Sequence, residues 1–109
     1  MGVTRTDLYQ KDQLELAEIS RALGHPARIA ILQFLLSSDR CITGDLVTEI
    51  GLAQPTISQH LKVLKDLGII QGNIEGSSVC YCIDPLRWTE MESLFNEFFG
   101  KMTSVMRCC

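Results

Sequence analysis

Between Leu52 and Ile70 the chain reads Leu-Ala-Gln-Pro-Thr-Ile-Ser-Gln-His-Leu-Lys-Val-Leu-Lys-Asp-Leu-Gly-Ile-Ile, an order of residues that constrains local structure tightly. At 3.6 residues per turn, Ile57, Leu61 and Leu64 share one stripe, while Ser58, Gln59, Lys62 and Asp66 turn away from it. Pro55 suits a first helical turn, where its missing N–H goes unused. Gly68 suits the left-handed position that ends a helix. A helix over roughly residues 54 to 67 is expected. Its outward surface opens with Gln54, Thr56, Ser58 and Gln59, side chains that donate and accept hydrogen bonds at base edges and phosphates; Lys62 and Lys65 follow, suited to a phosphate backbone. A core helix with a wet Gln and Ser face looks the same in isolation, so the flanking sequence has to decide.

Upstream, Asp7 to Leu23 carries Leu8, Leu14, Leu16, Ala17, Ile19 and Leu23 among charged residues, and Gly24 stops this helix. His25-Pro26 starts a second helix in which Ile29, Ile31, Leu32, Leu35 and Leu36 are expected to be nearly all buried. After a turn at 37–40, Cys41-Ile-Thr43 is a minor strand or an extended approach. Thr43 then caps a short helix, Asp45 to Ile50, that ends at Gly51. Helix, Gly-containing turn and helix make a helix-turn-helix. After Gly68 the period changes from 3.6 to 2: Ile69 to Ile74 and Ser78 to Ile83 flank Glu75-Gly76-Ser77, a β-hairpin or wing. Asp84-Pro85 begins a last helix with Met91, Leu94, Phe95, Phe98 and Met102 at spacings of three and four, widened by Phe99.

The predicted fold is mainly α with a small β-hairpin, a winged helix-turn-helix in the order α-α-(β)-α-α-β-β-α. At 109 residues the chain suits one domain, 1–109, with 1–6 and 103–109 expected to be flexible. The amphipathic terminal helices are too apolar for water and are expected to pack across a two-fold axis, giving a homodimer. No apolar run approaches the ~18 residues that suggest a membrane span, and the N-terminus lacks a secretory leader's apolar stretch, so a cytoplasmic protein without membrane partners is expected. A net charge of −3 argues against a nonspecific nucleic-acid coat. Five cysteines without a secretion signal read as thiols in a reducing compartment rather than a disulfide scaffold.

Leu23-Gly-His-Pro-Ala-Arg-Ile-Ala-Ile-Leu32, the helix start Gly44-Asp-Leu46, and Leu52 to Ile70 together resemble the ArsR/SmtB metalloregulators, over roughly residues 12 to 100. The resemblance implies a dimeric repressor on a double-stranded, pseudo-palindromic operator. One recognition helix enters each half-site, about 34 Å apart, and ligand binding releases the DNA. It assigns Gln54, Thr56, Ser58 and Gln59 to the DNA-facing surface and Lys62 to the backbone. His60 also matches a position where the family usually has His; it either hydrogen-bonds inside the helix-turn-helix or touches phosphate. His25 reads as a helix-start residue, not a ligand. The wing departs from the pattern, because it carries Glu75 where related wings carry Arg or Lys, and this puts wing contact with DNA in doubt.

Many arsenic sensors of that family place Cys-x-Cys before the third helix. Here Cys41-Ile-Thr-Gly-Asp-Leu46 supplies one thiol, and the last helix lacks the histidine that the zinc- and nickel-type site needs. Thiolates favour soft ions such as As(III), Sb(III), Cd(II) or Cu(I). Some arsenic-responsive members bind inducer through cysteines near the C-terminus. Cys108 and Cys109 are therefore the expected ligands, with Cys41 as first candidate for a third sulfur. Cys80 and Cys82, two apart on one strand and so on one face, are the alternative third ligand or a second site. Burial of Cys41 and one strand cysteine as small apolar residues, and a functionless tail, are the plain alternatives.

The expected function is an ArsR/SmtB-type transcriptional repressor that needs no cofactor to bind DNA and is released by a thiol-bound soft metal or metalloid, As(III) or Sb(III) favoured. The alternative is a regulator that senses thiol oxidation and binds no metal. A Cys-nucleophile enzyme is disfavoured, because the two histidines sit at a helix entry and in the recognition helix rather than beside a thiol. A protein–protein adaptor on the same fold would lack salt-dependent operator binding.

Overall fold

The computed structural model describes residues 6–37, 50–73 and 80–103. Helix α1 spans Lys11–Leu23, α2 Pro26–Leu36, α3 Gln54–Asp66 and α4 Pro85–Gly100, with strands β1 (Ile70–Asn73) and β2 (Cys80–Ile83) between α3 and α4. Single 3-10 turns at Thr6–Leu8 and Lys101–Thr103 flank this set.

The first helix begins at Lys11 rather than at Asp7. Gln10 is extended (φ −76°, ψ 160°), and its backbone N–H donates to Gln13 Oε1 at 2.8 Å, which satisfies a donor that a helix start leaves open. Leu8 therefore falls outside the buried face and is 63% exposed. In α2 the expectation of near-complete burial also fails. Ile31, Leu32 and Leu35 turn inward, whereas Ile29 and Leu36 are exposed, because at 3.6 residues per turn they lie roughly 100° from the centre of the inward arc.

The core is one cluster drawn from every element: Ile19, Ile31, Leu32, Leu35, Ile57, Leu61, Leu64, Ile69, Ile70, Tyr81 and Met91. Full burial stabilises each large aliphatic side chain by about 1.5–3 kcal/mol, so α3 is docked chiefly through the predicted triad Ile57, Leu61 and Leu64. Pro sits in the first turn of α2, α3 and α4. Asp84 caps α4, its Oδ1 accepting from the N–H groups of Leu86 at 3.0 Å and Arg87 at 3.1 Å. Helix α4 packs on α1. It buries Met91 and half-buries Trp88, Leu94 and Phe95, but leaves Phe98, Phe99 and Met102 exposed. Its α-helical part ends at Gly100 rather than at Met102, which falls in the following 3-10 turn.

The strands form a two-stranded antiparallel sheet with Ile70 opposite Ile83, Gln71 opposite Cys82, Gly72 opposite Tyr81 and Asn73 opposite Cys80. Gly72 is required there. Its φ is +117°, and a Cβ would stand 2.2 Å from the Cys80 carbonyl oxygen and 2.9 Å from Tyr81 Cα. Ile50 is helical and Gly51 follows at φ +83°, which turns the chain toward α3. The strand expected at 41–43, its Thr43 cap, the rest of the helix at 45–50 and the hairpin turn with Glu75 lie outside the described residues. So do the outermost segments 1–5 and 104–109. The architecture is a winged helix-turn-helix flanked by α1 and α4.

Candidate nucleic-acid interface

Burial of one face of α3 defines the other. With Ile57, Leu61 and Leu64 at 2% exposure or less, Gln54, Thr56, Gln59, Lys62 and Lys65 point into solvent and Ser58 is half-buried. The structure thus brings all five predicted DNA-facing residues onto one accessible helix surface. Gln54 Nε2 donates to Ser58 Oγ at 3.1 Å, which preorders the start of this surface. Lys62 Nζ lies 3.7 Å from Asp66 Oδ2 with both side chains exposed; such a pair is weak and screened by salt, so Lys62 can leave it for a phosphate.

His60 lies on the inner side of the same helix, 9% exposed. Its Nδ1 accepts the Nε–H of Arg28 at 3.1 Å, and its ring centroid is 4.5 Å from that of His25. Burial first, then the charge environments of His25 and Arg28, push the His60 pKa below 6.5. Its hydrogen bond is internal to the fold, as one of its two expected roles has it, but runs to α2 rather than within the helix-turn-helix itself. His25 caps α2 by accepting the Ala27 N–H on Nδ1 at 3.1 Å, as a helix-start residue should. Arg28 also donates Nη1 to the Ala22 carbonyl at 3.2 Å, and so ties the end of α1 to the middle of α3.

Arg28 and Arg87 were not marked by any local pattern. Arg87 Nε donates to the Leu67 carbonyl, at the end of α3, across 3.0 Å. Its Nη1 lies 2.8 Å from Glu15 Oε2 on α1. Only the fold brings these groups together, over sequence separations of 20 and 72 residues.

Among the predicted thiols, Cys80 and Cys82 flank the buried Tyr81 on β2 and are both half-buried, which places them on one face of the strand. Gln71 Nε2 is 3.8 Å from Cys82 Sγ. Cys41, Cys108 and Cys109 lie outside the described residues. Among the described residues, no group of three or more His, Cys, Asp and Glu side chains is placed to hold a metal ion, and no helix is long and apolar enough to cross a membrane.

Residues 25–71, which run from the α2 cap through α3 into the wing, match the family model described as "Bacterial regulatory protein, arsR family". An uncharacterized HTH-type transcriptional regulator of Methanocaldococcus jannaschii, MJ1325, is 37% identical over 81 residues, 74% of this chain and 91% of that protein. The chain belongs to the ArsR family. The HTH-type transcriptional repressor SmtB of Mycobacterium tuberculosis is 45% identical over 64 residues, 59% of this ArsR-family chain. That match spans about half, 47%, of SmtB's own length. A probable mercury resistance operon repressor of Streptomyces lividans is 29% identical over 93 residues, 85% of this chain and 74% of that protein. The crystal structure of M. tuberculosis Rv0081 superposes with a TM-score of 0.61 at 30% identity, covering 88% of this chain and 96% of that one.

Proposed function

We propose that this ArsR-family chain is a homodimeric transcriptional repressor that reads a pseudo-palindromic operator through α3 and is released from it by a thiol-bound soft metal or metalloid. The observation that carries the reading is the division of α3 into a fully buried aliphatic stripe and an exposed polar surface of Gln54, Thr56, Gln59 and Lys62. An acidic chain of net charge −3 gains little from general attraction to phosphate, so these side chains carry a large share of recognition. Support for the dimer comes from Phe98 and Phe99 at the end of α4 and Met102 just beyond it, which remain 57–69% exposed.

The inducer reading rests on sulfur. Cys108 and Cys109 with Cys41 offer three thiolates, the number trivalent arsenic or antimony takes. The shared face of Cys80 and Cys82 offers two more, which fits part of such a site and leaves the third ligand to another segment. The relative named for mercury resistance supports a thiophilic ion as the inducer class. An inducer that prefers the low-affinity conformation lowers operator affinity, typically by about 1–3 kcal/mol.

The test is fluorescence anisotropy of the reduced protein on DNA from upstream of its gene at two salt concentrations, with As(III), Cd(II), Zn(II) and peroxide added separately. Tight, salt-dependent binding relieved by As(III) is expected. Relief by peroxide alone would favour thiol oxidation, and a full As(III) response in a Cys108→Ser, Cys109→Ser variant would remove the tail from the site.

A further inference from the structure

Arg87 belongs to the first turn of α4, yet its side chain works elsewhere. Its backbone N–H is held by Asp84 Oδ1, which fixes where the side chain departs. The chain then passes Gly68, where a Cβ would stand 3.7 Å from Arg87 Cγ. At its end, Nε donates to the Leu67 carbonyl at 3.0 Å and Nη1 meets Glu15 Oε2 at 2.8 Å, with Glu90 Oε1 3.4 Å away. The side chain is only 20% exposed. The Leu67 carbonyl lies at the C-terminal end of α3, where acceptors lack helical partners and the helix dipole favours a cation. One planar guanidinium therefore joins α4, α1 and the end of α3 at a fixed angle, which a lysine ammonium, as a point charge, does not reproduce.

We propose that Arg87 is a positioning residue for operator reading: it fixes the C-terminal end of α3 against α1 and α4, and so sets the separation of the two recognition helices in the dimer. This rests on the reading of α3 as the DNA-reading helix and of α1 and α4 as dimer helices. The buried stripe Ile57, Leu61 and Leu64 fixes how deeply α3 sits, but apolar contact is non-directional. The arginine bonds add direction at the end where α3 leaves the core. A two-fold dimer must present its helices about 34 Å apart, so a small swing of α3 in each subunit is doubled across the operator.

The test uses the duplex that the full-length wild-type protein recovers from a random pool by in vitro selection, remade with its half-sites one base pair closer and one farther apart. Wild type is expected to prefer the selected spacing by about tenfold. Arg87→Lys is expected to keep its dimer mass and circular dichroism while that preference shrinks to about threefold or less; Glu15→Gln, which spares the Leu67 bond, should fall between. An Arg87→Lys profile that parallels wild type overturns the proposal, and so does one lowered equally at every spacing and on an isolated half-site, since that marks a role in stability alone. Should Arg87→Lys not fold, the Glu15→Gln profile decides by the same criteria. Failure of the underlying reading is seen separately and earlier, as wild-type protein that selects no spaced duplex.

Discussion

Arg28 donates its Nε–H to Nδ1 of His60 across 3.1 Å, which requires that nitrogen to be unprotonated. His60 is pushed below its ordinary value of 6.5 by burial, then by His25 and Arg28. The unfolded chain therefore takes up a proton near pH 6.5 that the folded chain still refuses, and stability rises with pH across that window. The His60 contribution is complete above the unfolded value and is lost as pH falls through the lower folded value. Urea unfolding between about pH 7.5 and about pH 5.5 should show wild type losing stability over that range. His60→Gln, which keeps an acceptor but does not titrate, should lose less. Equal losses in the two proteins would remove His60 from the acid response.

Gln59 is exposed on α3 and has no hydrogen-bond partner among the described residues, and an amide of this kind can pair bidentately with adenine. Gln59→Ala should weaken specific duplex binding by about 1–3 kcal/mol while leaving nonspecific binding nearly unchanged. Competition titrations against the selected duplex and a scrambled one measure both. Equal loss on the two would make Gln59 a general contact, not a base reader.

Gly72→Ala should be among the most damaging small substitutions in the hairpin. It combines a φ of +117° with a Cβ 2.2 Å from the Cys80 carbonyl oxygen, a backbone atom that cannot simply rotate aside. A loss of about 2–3 kcal/mol is expected, read as a lower denaturation midpoint. A midpoint within error of wild type would show that the strands separate readily at this pair.

The exposed aromatic end of α4 gives the proposed dimer a direct test. Phe98 and Phe99 pack edge to face with ring centroids 5.3 Å apart, and Phe95 stacks on Phe99 at 6.2 Å. Phe98→Asp with Phe99→Asp places charges on this surface and should shift sedimentation toward the monomer, with secondary structure retained because neither side chain belongs to the core cluster. A variant that sediments as the wild type would move the interface elsewhere.

Sequence alone was most informative where physics is local. The Ile57, Leu61 and Leu64 stripe, the first-turn prolines, the left-handed Gly68 and the alternation around Tyr81 each depend on neighbours within a turn or a strand pair. The start of α1 was missed because Gln10 and Gln13 outcompete a continuous helix by capping, a preference that hydrophobic periodicity does not register. Arg28–His60 and Arg87–Glu15 bridge 32 and 72 residues. No spacing rule connects residues so far apart, and nothing in their immediate surroundings distinguishes either arginine from a solvated one. The need for glycine at 72 comes from the Cys80 and Tyr81 backbone across the hairpin, which its own neighbours in sequence do not reveal.

The uneven anchoring of α4 divides it into a held half and a free half. Its first half is fixed by the Asp84 cap, Arg87 and the buried Met91, while beyond Phe95 it projects into solvent. At 1.5 Å per residue the free arm from Met91 to Phe99 is about 12 Å and the inner arm from Met91 to Arg87 about 6 Å. If the proposed partner subunit docks on Phe99, it does so about 18 Å along the helix axis from the guanidinium that grips Leu67. A partner docked there would reach the end of α3 through one continuous helix.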